Sequence, residues 1–344
     1  MQVALFGYGY MGSLLYKFLK QNQDISKIYI IDPNPRKTPE NGEKIYSSFE
    51  ELPKDHKVQS AFIASNSCTH FDILKKVAQN GIRNIFCEKP MCLNRREYQD
   101  LFKVMPQDSH VVVDYILRAS PAVLAFQDKA RALQEQGFKL RQANVVYGKD
   151  KSQDPRRFRD VGVYEELYHV WDLCFNNMLI DDVKSIKTLK NIYYPDPEIQ
   201  GRCLAHRFRY LVETDKGNKS FLNIYSDFKM PMRHRGFAFF FYNGKQKETL
   251  SLIFDQGVND RCIHVDNNGI ETVLDFQSNK KLETKINDTV HYFKTGEKAP
   301  YFHDHVTSFK SHVILENMGQ TTALNKSALL ERILTKERTT NQRG

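Results

Sequence analysis

The stretch VALFGYGYMGSLL (3–15) constrains this chain more than any other part of it. Gly7, Gly9 and Gly12 stand in a G-x-G-x-x-G pattern that follows an apolar run and enters a helix-length segment. Glycines at these places permit a tight turn, close approach of backbone to a pyrophosphate, and close packing of helix on strand. The N–H groups that open the helix, around Tyr10 and Met11, are donors for phosphate oxygens. Asp32 lies twenty residues beyond Gly12, at the end of the next apolar run, where a carboxylate accepts hydrogen bonds from an adenosine ribose. The pattern alone is weak, since Gly7 and Gly12 can serve turn geometry only and Asp32 can cap a loop. Its strand–turn–helix setting makes a dinucleotide the expected ligand. A carboxylate at position 32 repels the 2′-phosphate of NADP and argues for NAD, while Arg36 and Lys37 nearby keep NADP open.

The runs QVALF (2–6), KIYII (27–31), SAFIA (60–64), RNIFC (83–87) and HVVVDY (110–115) alternate with helix-length segments. Near-continuous apolar strands separated by helices predict a parallel sheet covered on both faces, a doubly wound Rossmann domain over residues 1–118. Past residue 180 the texture changes to long β-rich runs joined by turn signals at 215–218 (DKGN), Asn243-Gly244 and Asn268-Gly269. These predict hairpins, hence an α+β domain over 119–335 with an open, mainly antiparallel sheet. Residues 336–344 read as a basic tail. The expected class is α/β, in two domains.

With 41% hydrophobic and 26% charged residues the composition is that of a soluble globular protein. No apolar run reaches the roughly 18 residues of a membrane helix, and no signal-like opening is present, so the cytoplasm is expected and a membrane is not. Six cysteines form no C-x-x-C pair, and no metal is expected. The formal net charge of +9 comes from scattered lysines and arginines, with no stripe of interleaved aromatics, so nucleic acid is not expected either. An acidic small-molecule substrate is compatible with that charge.

The stretch NIFCEKPMCLN (84–94) sets a charged pair, Glu88-Lys89, at the end of a buried-looking strand, and Pro90 ends the strand. Further on, Val163, Tyr164, Leu167, Tyr168, Val170, Trp171, Leu173 and Cys174 leave no polar face on the helix GVYEELYHVWDL (162–173). Within it, Glu165, His169 and Asp172 recur at helical spacing on one side. Buried ionisable groups are costly unless paired or functional, so a structural cluster and a reactive site both remain open here.

The glycine motif, SNSCTH (65–70) after the third strand and Glu88-Lys89-Pro90 after the fourth together resemble the Gfo/Idh/MocA oxidoreductase family, the glucose–fructose oxidoreductase and inositol dehydrogenase type. DYILRASP (114–121), with Arg118, is similar to that family's arginine-containing crossover, and 162–173 looks like its D-x-G-x-H helix. The resemblance implies NAD(P)-dependent hydride transfer at a carbinol or carbonyl carbon of a sugar, cyclitol or related polyol. It implies that Ser65, Asn66, His70, Glu88 and Lys89 line the cofactor cleft and that His169 donates or accepts the proton. Lys89 would contact the reacting oxygen, and Arg118, Glu165, His169 and Asp172 would face the substrate. It further implies sheet-to-sheet homodimers or homotetramers. Two positions depart from the family pattern: Glu165 stands for its aspartate and Leu167 for its glycine. Either Glu165 or Glu166 then supports His169. The altered helix also leaves room for an imine or C=C reductase, and loss of turnover would make the chain a cofactor-binding regulator.

Overall fold

The computed structural model describes residues 1–35, 38–39, 42–151, 154, 162–175, 183–200, 202–254 and 259–317, with side chains through 313. Arg36, Lys37 and the basic tail lie outside the described residues. The chain divides into two compact units, Met1–Tyr115 with Leu282–Val313, and Ile116–Lys281 with the remainder.

Unit 1 opens with β1 (Gln2–Phe6), α1 (Tyr10–Gln21), β2 (Lys27–Ile31), β3 (Ile45–Tyr46), β4 (Val58–Ile63) and α2 (His70–Gln79). It continues through β5 (Asn84–Glu88), α3 (Arg95–Val104) and β6 (His110–Asp114). All strand pairs are parallel and the order is β3-β2-β1-β4-β5-β6, the doubly wound order. Val3, Leu5, Ile30, Phe62, Phe86 and Val112 form one fully buried core layer. The strand order reverses between β1 and β4, and ligands of such sheets bind outside the carboxyl ends of the strands at that point.

Unit 2 contains α4 (Pro121–Glu135), β7 (Lys139–Asp150), α5 (Val163–Leu173), β8 (Val183–Pro195), β9 (Cys203–Thr214) and β10 (Lys219–Asp227). The strands β11 (Lys229–Asn243), β12 (Gln246–Phe254), β13 (Asn259–Val265) and β14 (Glu271–Gln277) complete an eight-stranded sheet in the order β14-β13-β12-β11-β7-β10-β9-β8. Its pairs are antiparallel except β7 with β10. The three hairpin turns expected from sequence close β9–β10, β11–β12 and β13–β14, with Gly217, Gly244 and Gly269 at positive φ. Phe237, Phe239 and Phe241 are buried on one face of β11, while Ala238, Phe240 and Tyr242 alternate onto the half-buried other face.

Two last helices, α6 (Lys281–Thr295) and α7 (His305–Asn317), follow β14. Ile286, Val290 and Phe293 of α6 join the core of unit 1, so residues that follow the second sheet in chain order complete the first domain. No helix among the described residues is long and apolar enough to cross a membrane.

Helix α5 is the most deeply set element of unit 2: every residue from Val163 to Leu173 is buried except Glu165, which is half-buried. Its start is tied to β9, because a Cβ on Gly162 would lie 1.8 Å from the Cys203 carbonyl oxygen. Trp171 packs edge-on against Phe208 and Tyr210 of β9, at 5.6 and 5.9 Å between ring centroids. At the far end Asp172 Oδ2 sits 3.0 Å from Arg118 Nε, and the two side chains are 0% and 7% exposed. Removing one member of so buried a pair strands the other charge, at a cost of about 3–5 kcal/mol, whereas an apolar pair of like volume is often tolerated. Arg118→Met should therefore lose about 3 kcal/mol or more of unfolding free energy in urea, and Arg118→Met/Asp172→Leu should recover most of it. A single variant as stable as the parent would remove the pair from its structural role.

Candidate functional site in two parts

The turn after β1 is held by three short contacts. Gly7 N–H donates to Ile31 O at 2.8 Å, Tyr8 N–H donates to Asp32 Oδ2 at 2.7 Å, and Ala64 N–H donates to Phe6 O at 2.8 Å. Gly7 has φ +88°, and a Cβ there would lie 2.6 Å from Ser65 Cα. A Cβ on Gly12 would lie 1.9 Å from Gly7 O, so β1 and α1 approach as only glycine allows. Gly9 differs from both: a Cβ there would meet nothing within 4 Å. Protein packing therefore accounts for Gly7 and Gly12 but not for Gly9. Gly9 caps the N-terminus of α1, and the space beside it admits a phosphate against the helix-opening N–H groups. Tyr10 is 59% exposed at the start of this helix, and Met11 is half-buried.

Asp32 also accepts from Asn34 N–H at 2.9 Å through Oδ1. A carboxylate has about four acceptor positions, so two remain for ribose hydroxyls while two backbone amides hold its orientation. These residues fit a dinucleotide.

On the other side of the switch point, Asn66 caps a short turn by accepting from Cys68 N–H at 3.1 Å, and Ser65 Oγ lies 2.8 Å from Thr69 Oγ1. His70 is buried, with Nδ1 2.8 Å from Pro90 O and Nε2 3.2 Å from Ser65 O. Burial pushes its pKa below the ordinary histidine value, so it is a neutral clamp between the loops that end β4 and β5. The structure thus brings Ser65, His70 and Pro90 together, and Gly7 against Ser65.

Lys89 and cis-Pro90 follow directly on β5, whose last residue, Glu88, lies in register with Asp114 at the end of β6. Two carboxylates side by side cannot both ionise cheaply. Burial, followed by the Asp114 charge, raises the Glu88 pKa well above its ordinary value, which favours the protonated carboxyl. Asp114 pairs with Lys285 of α6, whose Nζ is 2.8 Å from Oδ1 and also donates to Val113 O at 3.2 Å. Asp114 and Lys285 were not among the residues expected from sequence. Only the strand register and the return of α6 to unit 1 reveal them.

In unit 2, His169 is 6% exposed on α5. Glu165, one turn earlier, has the only side chain of the helix that is not buried. Glu166 is engaged elsewhere: Lys149 and Lys151 Nζ lie 2.6 and 3.1 Å from its Oε1, and Arg235 Nη2 lies 3.2 Å from its Oε2. Tyr164 OH lies 2.8 Å from Nδ1 of His206, a buried histidine whose pKa burial lowers to about 3. Residues 156–160, with their arginines, lie outside the described residues.

Residues 1–115 match the profile of the Gfo/Idh/MocA oxidoreductase family, NAD-binding Rossmann fold. Over 96 residues the chain is 33% identical to an uncharacterized oxidoreductase of Streptococcus pneumoniae, covering 27% of this chain and 25% of that protein. The chain thus matches about a quarter of the length of that curated relative. In fold it is similar to an Agrobacterium radiobacter oxidoreductase solved with NAD+, L-tartaric acid and magnesium, with TM-score 0.71, 15% identity, and 94% and 96% of the two chains covered. It is also similar to a UDP-N-acetylglucosamine 3-dehydrogenase of Acidithiobacillus ferrooxidans, with TM-score 0.69, 15% identity, and 96% and 99% covered. At these identities the two structures bear on the fold alone.

A hydrogen bond to a charged group contributes about 1.5–3 kcal/mol. Asp32→Ala should therefore weaken NADH at least tenfold in a fluorescence titration and narrow its advantage over NADPH. A parent protein that prefers NADPH would show that another group reads the 2′ position.

Proposed function

We propose that this chain, whose residues 1–115 belong to the NAD-binding Rossmann fold of the Gfo/Idh/MocA oxidoreductase family, oxidises a carbinol or reduces the matching carbonyl of a sugar, cyclitol or related polyol. The observation that carries the reading is the open position at Gly9 beside an amide-anchored Asp32, a cradle shaped for a dinucleotide and filled by no protein atom. A bound nicotinamide supplies the hydride acceptor or donor.

The chain's residues supply the rest. The Asp32 carboxylate orients a ribose, and the first N–H groups of α1 hold phosphate. Lys89 places an ammonium where alkoxide charge develops, which lowers the barrier electrostatically. The raised Glu88 pKa favours a neutral carboxyl beside it, whereas an ionised one would pair with the ammonium and reduce its pull on the substrate oxygen. His169 takes the hydroxyl proton in the oxidative direction and returns it in the reductive one, a task suited to an imidazole, whose ring nitrogens both accept and donate protons. Glu165, at the preceding turn, orients the imidazole or binds a substrate hydroxyl.

Loss of a positioned acid–base group costs roughly 10²–10⁴-fold in rate. Lys89→Met and His169→Ala should each slow turnover by about that much, with NADH affinity of His169→Ala within a few-fold of the parent. Acting as one unit, the two changes together should be little worse than the poorer single change. The assay is NADH absorbance across polyols, sugars, keto-sugars and imines. If His169→Ala melts earlier yet turns over normally per folded molecule, His169 is a structural residue and the reading fails there.

A further inference from the structure

A buried lysine is an unfavourable way to hold a helix on a sheet. Lys285 is 0% exposed, although α6 already sets Ile286, Val290 and Phe293 into the core of unit 1. Apolar contact is enough for an anchor, and an apolar pair of like volume often replaces a buried ion pair without loss of stability. Lys285 instead carries its ammonium to the carboxyl end of β6, 2.8 Å from Asp114 Oδ1 and 3.2 Å from Val113 O. Ligands of a parallel sheet bind at that end of its strands.

The register sets Asp114 beside Glu88 of β5, so the two side chains leave the sheet on one face. Asp114 is 2% exposed, and Glu88 Oε1 is shut off from solvent. The two carboxyls are close enough to share a hydrogen bond, which needs a proton on one of them. The charged groups that act on Glu88 are Asp114 from β6, Lys285 from α6 and Lys89 just past β5. The Cys87 thiol of β5 lies within reach of both carboxyls, and Tyr301, hydrogen-bonded to Asp288 of α6, lies within reach of Asp114. Lys285 and Asp114 thus join α6 and β6 to the strand end from which Lys89 departs.

We propose that Asp114 and Lys285 are positioning residues: Asp114 engages the Glu88 carboxyl and keeps a proton there, and Lys285 fixes Asp114 for that task. The inference deepens the oxidoreductase reading and rests on it for the consequence, a neutral neighbour for Lys89. The sign of the pH dependence follows from the groups themselves. Burial and then the Asp114 charge raise the Glu88 pKa, while Lys89 and Lys285 lower it. Glu88 is neutral below its raised pKa and ionises as the pH climbs through it. Asp114→Asn removes the adjacent negative charge, so Glu88 should ionise at a pH lower by about one unit or more. Lys285→Met removes a cation that favours the ionised form, so Glu88 should ionise at a higher pH. A merely structural role would shift the melting temperature and give the two titrations no reason to move in opposite directions.

The test is infrared titration of the full chain with NAD+ present. The carbonyl band of a protonated carboxyl is assigned to Glu88 by its loss in Glu88→Gln. In the parent this band should persist at pH values where an ordinary glutamate is ionised. It should vanish at lower pH in Asp114→Asn and at higher pH in Lys285→Met. If either single variant folds poorly, Asp114→Asn/Lys285→Met, which buries neither charge, should still titrate below the parent. The alkaline fall of kcat should move with the band in each variant. No Glu88 band in the parent, a band that titrates alike in all of these proteins, or a kcat profile that ignores its movement overturns the proposal. Turnover of polyols or keto-sugars by the parent would then leave the oxidoreductase reading standing. Opposite band shifts without turnover of any substrate support the charge assignment and contradict the oxidoreductase reading.

Discussion

The contact between Gly12 and the Gly7 carbonyl sets the geometry of the first unit. A Cβ would sit 1.9 Å from that oxygen, so α1 lies against the end of β1 at a distance no other residue permits. That approach aims the opening N–H groups of α1 past the end of the sheet. It also leaves Tyr8 N–H free to meet Asp32 at 2.7 Å, which locks the turn after β1 to the end of β2. The parallel order β3-β2-β1-β4-β5-β6 then brings Ser65 and Asn66 to the other side of the same crevice. One steric constraint thereby sets the opening of α1 and the Asp32 carboxylate at the same end of the sheet, and it makes Gly9 the single glycine of the motif with unfilled space beside it.

Buried charge in both units comes in small assemblies. In unit 1, Lys285 pairs with Asp114, and burial followed by the Asp114 charge raises the pKa of Glu88, the neighbour of the lysine proposed to meet the substrate oxygen. In unit 2, Arg118 closes the end of α5 through Asp172, and three cations seize Glu166. The first of these pairs is a closed account of charge, with one cation for one carboxylate.

Much of the fold was legible because its signals are local. The glycine motif, the apolar strands of unit 1, and the Asn-Gly and Lys-Gly turns of unit 2 each specify their own backbone. The all-round apolar character of α5 likewise announced its burial, and Glu165 is the exception there because its carboxylate does not pack inward. What the sequence hid depends on distant partners. The two-residue strand β3 is too short to show a period. Helices α6 and α7 follow the second sheet in chain order, yet Ile286, Val290 and Phe293 pack into the first core. Asp114 looks like an ordinary strand-end residue until the β5–β6 register sets it beside Glu88, and nothing local in the sequence shows that Lys149, Lys151 and Arg235 meet at Glu166.

The account turns on a dinucleotide occupying the space at Gly9, and Gly9→Val probes that space alone. The added Cβ meets no protein atom within 4 Å, so the variant should unfold within a degree or two of the parent. NADH binding, followed by its fluorescence, should fall by at least two orders of magnitude, since the valine methyls stand where the pyrophosphate must approach the helix. A Gly9→Val protein that folds normally and binds NADH as tightly as the parent would contradict the account at its base.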